Sequence, residues 1–322
     1  MKYYLALDLG GSKTSVALFS SEGSIVDDYV YVKPSKTYDG EAAVYKNTVE
    51  AINSVLDKFG ICASDLLGIG VGCPGPLDAD NGIILDVPLM KWKNFPLGER
   101  LKQDYGVPVM IENDGALGAL AEQRRGRGVG VQNLIYVTIS TGVGGGAILN
   151  GELYRGTTGN AMEFGHISID MNGLECPCGN KGCLELYCSG TAIKEKLIQD
   201  SMKEIHSLVF EMAGSDATKL DARLLSQAAD LGDEYALDVF HQFGERLGFA
   251  LTYLFNLLDP ELIVISGGLS KANRFYHNDL IRAVEARSIN RIKEKQIGYS
   301  RLCDQAVLYG AYHLIFEAMK KE

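Results

Sequence analysis

Between Gly159 and Glu185 the chain reads GNAMEFGHISIDMNGLECPCGNKGCLE, and no other stretch restricts the fold as tightly. It sets His166, Cys176, Cys178 and Cys183 close together in a polar loop. Thiolate sulfur and imidazole nitrogen suit Zn²⁺, and four protein ligands leave no open coordination position, so the ion would be structural. Gly179 and Gly182 permit tight turns between Cys178 and Cys183, and Pro177 stiffens the first bend. Buried thiols beside an unrelated histidine are the plainer alternative. Three cysteines interleaved with glycine and proline do not resemble a core segment, however. The seven cysteines are odd in number and otherwise scattered, which disfavours a disulfide framework. Glu163 lies just before His166 and Glu185 just after Cys183, so one ion would clamp two carboxylates and an imidazole about a common point.

The 322 residues, 46% apolar and 22% charged, suffice for one large or two medium domains with an ordinary core. No apolar run approaches the roughly 20 residues that span a bilayer. Asp8 interrupts the first apolar run too early for a signal-peptide core, so a cytoplasmic protein is expected. A net charge of −10 argues against nucleic-acid and acidic-membrane partners. Arg124, Arg125 and Arg127 read as a solvated helix end that complements the dipole.

Along the chain, residues 3 to 9 form an apolar strand that ends at Asp8 and two glycines. Segments 14 to 20 and 25 to 31 follow as an antiparallel hairpin. The loop GGSKT lacks P-loop spacing and returns to a strand, so it is either a plain hairpin turn or a phosphate cradle of another kind. Residues 40 to 59 carry helical periodicity ended by Gly60. The strand LLGIGVG then enters Cys73-Pro74-Gly75-Pro76, a rigid turn whose backbone can approach a ligand. Strand 107 to 111 delivers Glu112, Asn113 and Asp114 to a helix running to about Gly126. Asp114 has two readings there, as an N-cap or as a base at the C-terminal end of a strand.

Strand 133 to 140 runs into Thr141-Gly142-Val143-Gly144-Gly145-Gly146, repeating the plan of strand, glycine turn and hairpin. Two such turns in separate halves favour a two-lobed nucleotide cleft. Helices are predicted over 189 to 213, 220 to 230, 233 to 258, 272 to 287 and 304 to 320. Strand 261 to 268 closes on Gly267 and Gly268.

Together DLGGSKT, GCPGP, ENDGALGALAE, STGVGGG, EFGH, CPCGNKGCLE and DPELIVISGG resemble, in this order and spacing, the ROK family of sugar kinases and repressors. That family lies within the actin and hexokinase-like ATPase superfamily. The resemblance implies an α/β fold of two lobes, each a mixed sheet flanked by helices. The N-terminal lobe would span 1–112, rejoined by a C-terminal helix at about 304–322, and the C-terminal lobe 113–303 would carry the zinc loop 159–185. It further implies that Asp8, Gly10, Gly11, Lys13 and Thr14 form a first phosphate loop and Thr141, Gly142, Gly144 and Gly145 a second. Gly267 and Gly268 would contact adenosine. Gly75, Asn113, Asp114, Glu163, His166 and Glu185 would hold a hexose, with Asp114 as general base. His166, Cys176, Cys178 and Cys183 match the family's zinc ligands.

The implied activity is ATP- and Mg²⁺-dependent phosphorylation of a hexose, glucose at the 6-hydroxyl foremost, by a homodimer. Kinases for N-acetylmannosamine, N-acetylglucosamine, allose or fructose, and a non-catalytic sugar sensor, are the alternatives. Repressors of the family carry a DNA-binding domain before the first phosphate loop, and the first strand here begins at residue 3, so that role is not expected. Met162 departs from the pattern, because many members have a small residue before the motif's Glu.

Overall fold

The structure, a computed structural model, describes residues 1–36, 39–85, 92–214, 216–289 and 292–321. Two five-stranded mixed sheets flanked by helices make up the expected architecture. The first sheet runs in the order Ile25–Pro34, Lys13–Ser20, Tyr3–Leu9, Leu66–Cys73, Val109–Asn113. Its first three strands are antiparallel, and Tyr3–Leu9, Leu66–Cys73 and Val109–Asn113 are parallel to one another. Both faces are covered. Leu5, Leu7 and Leu9 share one core with Val44, Ile52 and Val55 of the helix Glu41–Phe59. That helix ends at Gly60, whose φ of 63° returns its N–H to Asp57 and Leu56.

The opposite face receives the C-terminal helix Ala306–Lys321, and the strand Leu66–Cys73 is shaped for it by omission. Gly68, Gly70 and Gly72 share one face of that strand, and Ile315, Ala311 and Val307 of the helix fill the groove. A Cβ added at Gly70 would lie 2.0 Å from the carbonyl oxygen of Ala311. The match is one of pitch: two strand residues rise about 6.6 Å and four helix residues about 6 Å, so i, i+2, i+4 on one meets i, i+4, i+8 on the other. The same helix brings Gly310 against the Leu117 carbonyl of the helix Asp114–Arg125.

The second sheet runs Glu152–Leu153, Val143–Leu149, Leu134–Ile139, Leu262–Ser266, Ile297–Tyr299. Leu262–Ser266 is parallel to both its neighbours. Helices Glu234–Leu258 and Asn273–Arg287 pack closely at Gly244 and Gly248, where an added Cβ would meet the Tyr276 and Leu280 carbonyls at 2.5 and 2.4 Å. Among the described residues no helix is long and apolar enough to cross a membrane.

The chain divides into two compact units, Met1–Gln132 with Gly146–Met162 and Asp304–Glu322, and Asn133–Gly145 with Glu163–Cys303. This division places the helix of Asp114 in the first unit, whereas the boundary expected at 112 assigns it to the second; its packing on the C-terminal helix is the reason. The helix read over 189 to 213 is two, Gly190–Asp200 and Leu208–Ala213. The second is capped by Ser207, and Asp233 accepts hydrogen bonds from the Ser207 hydroxyl and the Leu208 amide at 2.9 and 2.8 Å. Helix Leu97–Tyr105, which buries Leu97, Leu101 and Tyr105, is additional to the elements read from the sequence.

Candidate active site and metal centre

In the first unit three parallel strands end side by side, with Asp8 level with Gly72, Gly72 with Glu112, and Cys73 with Asn113. Asn113 is the N-cap of the helix that follows: its Oδ1 accepts from the Gly115 and Ala116 amides at 2.9 and 3.3 Å. Of the two roles open to Asp114, capping is thus taken by its neighbour. Asp114 occupies the first helical position, with Oδ1 accepting from the Gly115 amide at 2.7 Å.

Burial pushes the Asp8 carboxyl up to about 7; Asp114 and Asp304 push the same way and Lys13 opposes them. Burial, then Asp114, Glu112 and Asp8, hold the Cys73 thiol well above its ordinary range. Asp114 and Asp304 thus act on Asp8 against a single lysine, a local deficit of positive charge that suits a cation accompanied by phosphates.

The Gly10 amide donates to the Lys13 carbonyl at 3.0 Å, closing the first glycine turn, and Gly11 has open space where a side chain would stand. Thr14 is buried, and its hydroxyl shares a 3.0 Å hydrogen bond with Ser35, so its contribution to the turn is structural. The loop after Cys73 contains Gly75 and is tied down by Asn160, whose Oδ1 accepts from the Leu77 amide at 3.0 Å. Glu112 is 1% exposed and paired with Arg155. No sequence pattern signals that pair or the Asn160 tie, because both join positions far apart in the chain.

In the second unit His166, Cys176, Cys178 and Cys183 come together, with their ligand atoms all within 4.8 Å of one another. The Cys178 and Cys183 sulfurs are 3.7 Å apart, and Cys176 Sγ lies 3.8 Å from His166 Nδ1. A tetrahedron with Zn–S bonds of about 2.3 Å has edges of about 3.8 Å, so the donor set fits zinc in geometry as well as in chemistry. Burial pushes the Cys183 thiol up to about 12, helped by Cys176 and Cys178. The loop is cross-linked by backbone bonds, among them Ile169 to Gly182 at 2.8 Å, Leu184 to Ile167 at 3.0 Å and Cys176 to Asn180 at 2.8 Å.

Glu163 and Glu185 lie beside this cluster. Burial raises the Glu163 carboxyl above its ordinary value, His166 opposes, and Glu185 adds to the rise. Glu185 Oε2 accepts from the Val143 amide at 2.8 Å, and it can do so because Gly142 has no side chain: a Cβ there would lie 2.3 Å from that oxygen. This link between the zinc loop and the second glycine turn is not legible in the sequence. The turn itself is shorter than the glycine run suggests, since Gly144 and Gly145 already belong to the strand Val143–Leu149. Thr141 is held by Thr191, whose hydroxyl donates to its carbonyl at 2.8 Å. Gly267, at φ 86°, lies where an added Cβ would be 2.3 Å from the Ile139 carbonyl, while Gly268 faces open space. Packing alone accounts for the first, and a ligand could use the second.

Paired mixed sheets, each opening with strand, glycine turn and hairpin, and a His/Cys₃ loop beside two carboxylates define a hexokinase-like fold of the ROK type. The chain belongs to the ROK family, whose pattern matches residues 4–318. It is 35% identical over 294 residues to a glucokinase of Halalkalibacterium halodurans, covering 91% of this chain and 88% of that one. It is 31% identical over 294 residues to the xylose repressor of Bacillus subtilis, covering 90% of this chain and 70% of the repressor. The crystal structure of a ROK family glucokinase from Streptomyces griseus in complex with glucose and AMPPNP superimposes with a TM-score of 0.85 at 28% identity, covering 97% of this chain and 98% of that one.

Proposed function

We propose that this protein is an ATP-dependent hexose kinase that phosphorylates glucose at the 6-hydroxyl, with Asp114 as general base. The observation that carries the reading is the convergence of Asp8 and Asp114 at the ends of parallel strands, with Asn113 rather than Asp114 serving as the cap. With Asn113 as the cap, capping does not account for Asp114, and similarity to the H. halodurans glucokinase and to a glucose- and AMPPNP-bound glucokinase supports the substrates.

A sugar hydroxyl is a poor nucleophile, and phosphoryl transfer proceeds through a loose in-line transition state, so positioning and charge neutralisation dominate. Asp114 accepts the hydroxyl proton as the bond to phosphorus forms. Asn113 spends its carbonyl oxygen on the cap, which leaves its NH₂ as a donor to the sugar. His166 turns Nδ1 toward the thiols, so a ring that binds zinc through Nδ1 keeps Nε2–H to donate to a hydroxyl. In this reading Glu163 and Glu185 accept from ring hydroxyls of the sugar, and Gly75 offers it a backbone contact. Gly10, Gly11 and Lys13, with Thr141, Gly142, Gly144 and Gly145, bind the triphosphate, and Gly268, backed by Gly267, lies against adenosine. Mg²⁺, when bound with the nucleotide, would supply charge neutralisation, and Asp8 would be the carboxylate that accompanies it.

A panel of hexoses with ATP and Mg²⁺, read by ADP release, tests the proposal, with glucose expected to give the highest kcat/KM. The second reading, a sugar-responsive regulator, is favoured by the similarity to a xylose repressor. Tight sugar binding with no ADP release on any sugar would select it.

A further inference from the structure

Glu112 is a carboxylate at 1% exposure that neither capping nor the chemistry assigned above requires. Its Oε1 accepts from the Asn113 amide at 3.0 Å, and its Oε2 accepts from Arg155 Nε at 2.5 Å. The residue whose amide it fixes is the helix cap, and the next residue is Asp114. Arg155, 40% exposed, belongs to the returning segment Gly146–Met162 of the same unit. A buried carboxylate without a cation is costly, so loss of Arg155 drives Glu112 to shift from its place. Such a shift disturbs the side-chain contact that holds the amide of the helix cap.

We propose that the Glu112–Arg155 pair holds the Asn113–Asp114 turn in its working geometry, making Arg155 a positioning residue for the base. The inference rests on the hexose-kinase reading for its kinetic consequence but not for its structural one. Glu112 also contributes to the negative potential at Cys73 alongside Asp114 and Asp8, so the charge that Arg155 offsets belongs to the same strand-end cluster. Arg155 is reachable: with Glu112, Lys102, Arg124 and Glu317 it lines a cavity of about 690 Å³.

Small misplacement of a reacting group can cost about a hundredfold in rate. Arg155→Ala is therefore expected to lower kcat by about 10- to 100-fold per folded molecule while the hexose KM stays within about threefold. Millimolar guanidinium, entering through the cavity, should restore part of the loss. Glu112→Gln combined with Arg155→Ala should recover about tenfold over Arg155→Ala alone, because glutamine keeps the acceptor for the Asn113 amide without a buried charge. If Arg155→Ala does not fold, the double variant carries the test, and a folded double variant as slow as an Asp114 variant would overturn the proposal. So would full kcat in Arg155→Ala. Exchange of the Asn113 amide in the protein without substrate separates the two claims: it should quicken about tenfold in Arg155→Ala. Unchanged exchange overturns the positioning role, whereas absence of turnover in the wild type overturns only the kinase reading.

Discussion

Asp114 and Glu163 are both carboxylates assigned to a sugar site, yet the two compact units hold them by different means. Asp114 stands where a parallel strand that buries Ile111 becomes a helix that buries Leu117, and that helix packs on the C-terminal helix at Gly310. Glu163 stands in a loop with little apolar packing of its own, anchored by Phe164 and by the His166, Cys176, Cys178 and Cys183 cluster. Core packing is built into the fold, but a cluster of thiols is ordered only as firmly as its ion is bound. The second arrangement can therefore be dismantled while the first is left standing.

Removing zinc is the most direct way to break that comparison. Structural zinc contributes on the order of 10–16 kcal/mol in small zinc peptides, which exceeds the cost of ordering one loop. Chelation releases Glu163, His166 and Glu185 together, at about 1–3 kcal/mol for each partner lost, so hexose affinity should vanish. Calorimetric titration alongside far-UV circular dichroism checks this, with the secondary structure expected to persist. Full affinity in a verified zinc-free sample would show that the loop stands without its ion.

Asp114→Asn comes next, and it should act on turnover where chelation acts on binding. The isosteric amide keeps the acceptor for the Gly115 amide but cannot take a proton, so kcat should fall by about 10²–10⁴ with hexose affinity nearly intact. Steady-state kinetics and binding on the same preparation separate the two effects. Turnover at the wild-type level would remove Asp114 from its role.

Asp8 sharpens the contrast from within the first unit. Its folded pKa, about 7, is raised from 3.8, mainly by burial and then by Asp114. An acid raised on folding binds its proton more tightly in the native state, so stability is undisturbed below pH 4, falls as pH rises toward 7, and is then level. The full penalty is on the order of 4 kcal/mol. Urea unfolding of Asp8→Asn and wild type should agree at pH 4 and diverge in favour of the variant by pH 8. A constant difference across that window would show that Asp8 is solvated or neutralised by a group other than Lys13.

Much of this was legible in the chain itself. Strand–glycine–hairpin units, the cap of Glu41–Phe59 at Gly60 and the zinc ligands depend on local spacing, which a sequence displays. What escaped depends on partners far apart. Nothing near residue 205 announces that Asp233 accepts from the Ser207 hydroxyl and the Leu208 amide there, and without that partner the apolar spacing of 189 to 213 reads as one helix. Likewise Glu112 gains Arg155, and Glu185 gains the Val143 amide, only once separate strands are placed. The helix Leu97–Tyr105 is nine residues long and shows too few turns for its period to stand out.

Met162 supplies the smallest expected effect and lies where the contrasted regions join, as the last residue of its segment in the first unit, immediately before Glu163. Its φ of 68° is in the left-handed region, which costs a residue with a Cβ about 1–2 kcal/mol. Glycine removes that cost but adds freedom to the unfolded chain, worth roughly 0.5–1 kcal/mol in the opposite sense. Met162→Gly should therefore stabilise the protein by no more than about 1.5 kcal/mol, read as a small rise in the melting temperature. The informative measurement is the hexose panel on the same variant. An unchanged order of preference would mean that the departure from a small residue is a matter of backbone strain alone. A changed order would mean that the thioether helps to shape the sugar pocket, and specificity would then depend on a side chain from the first unit as well as on the zinc loop.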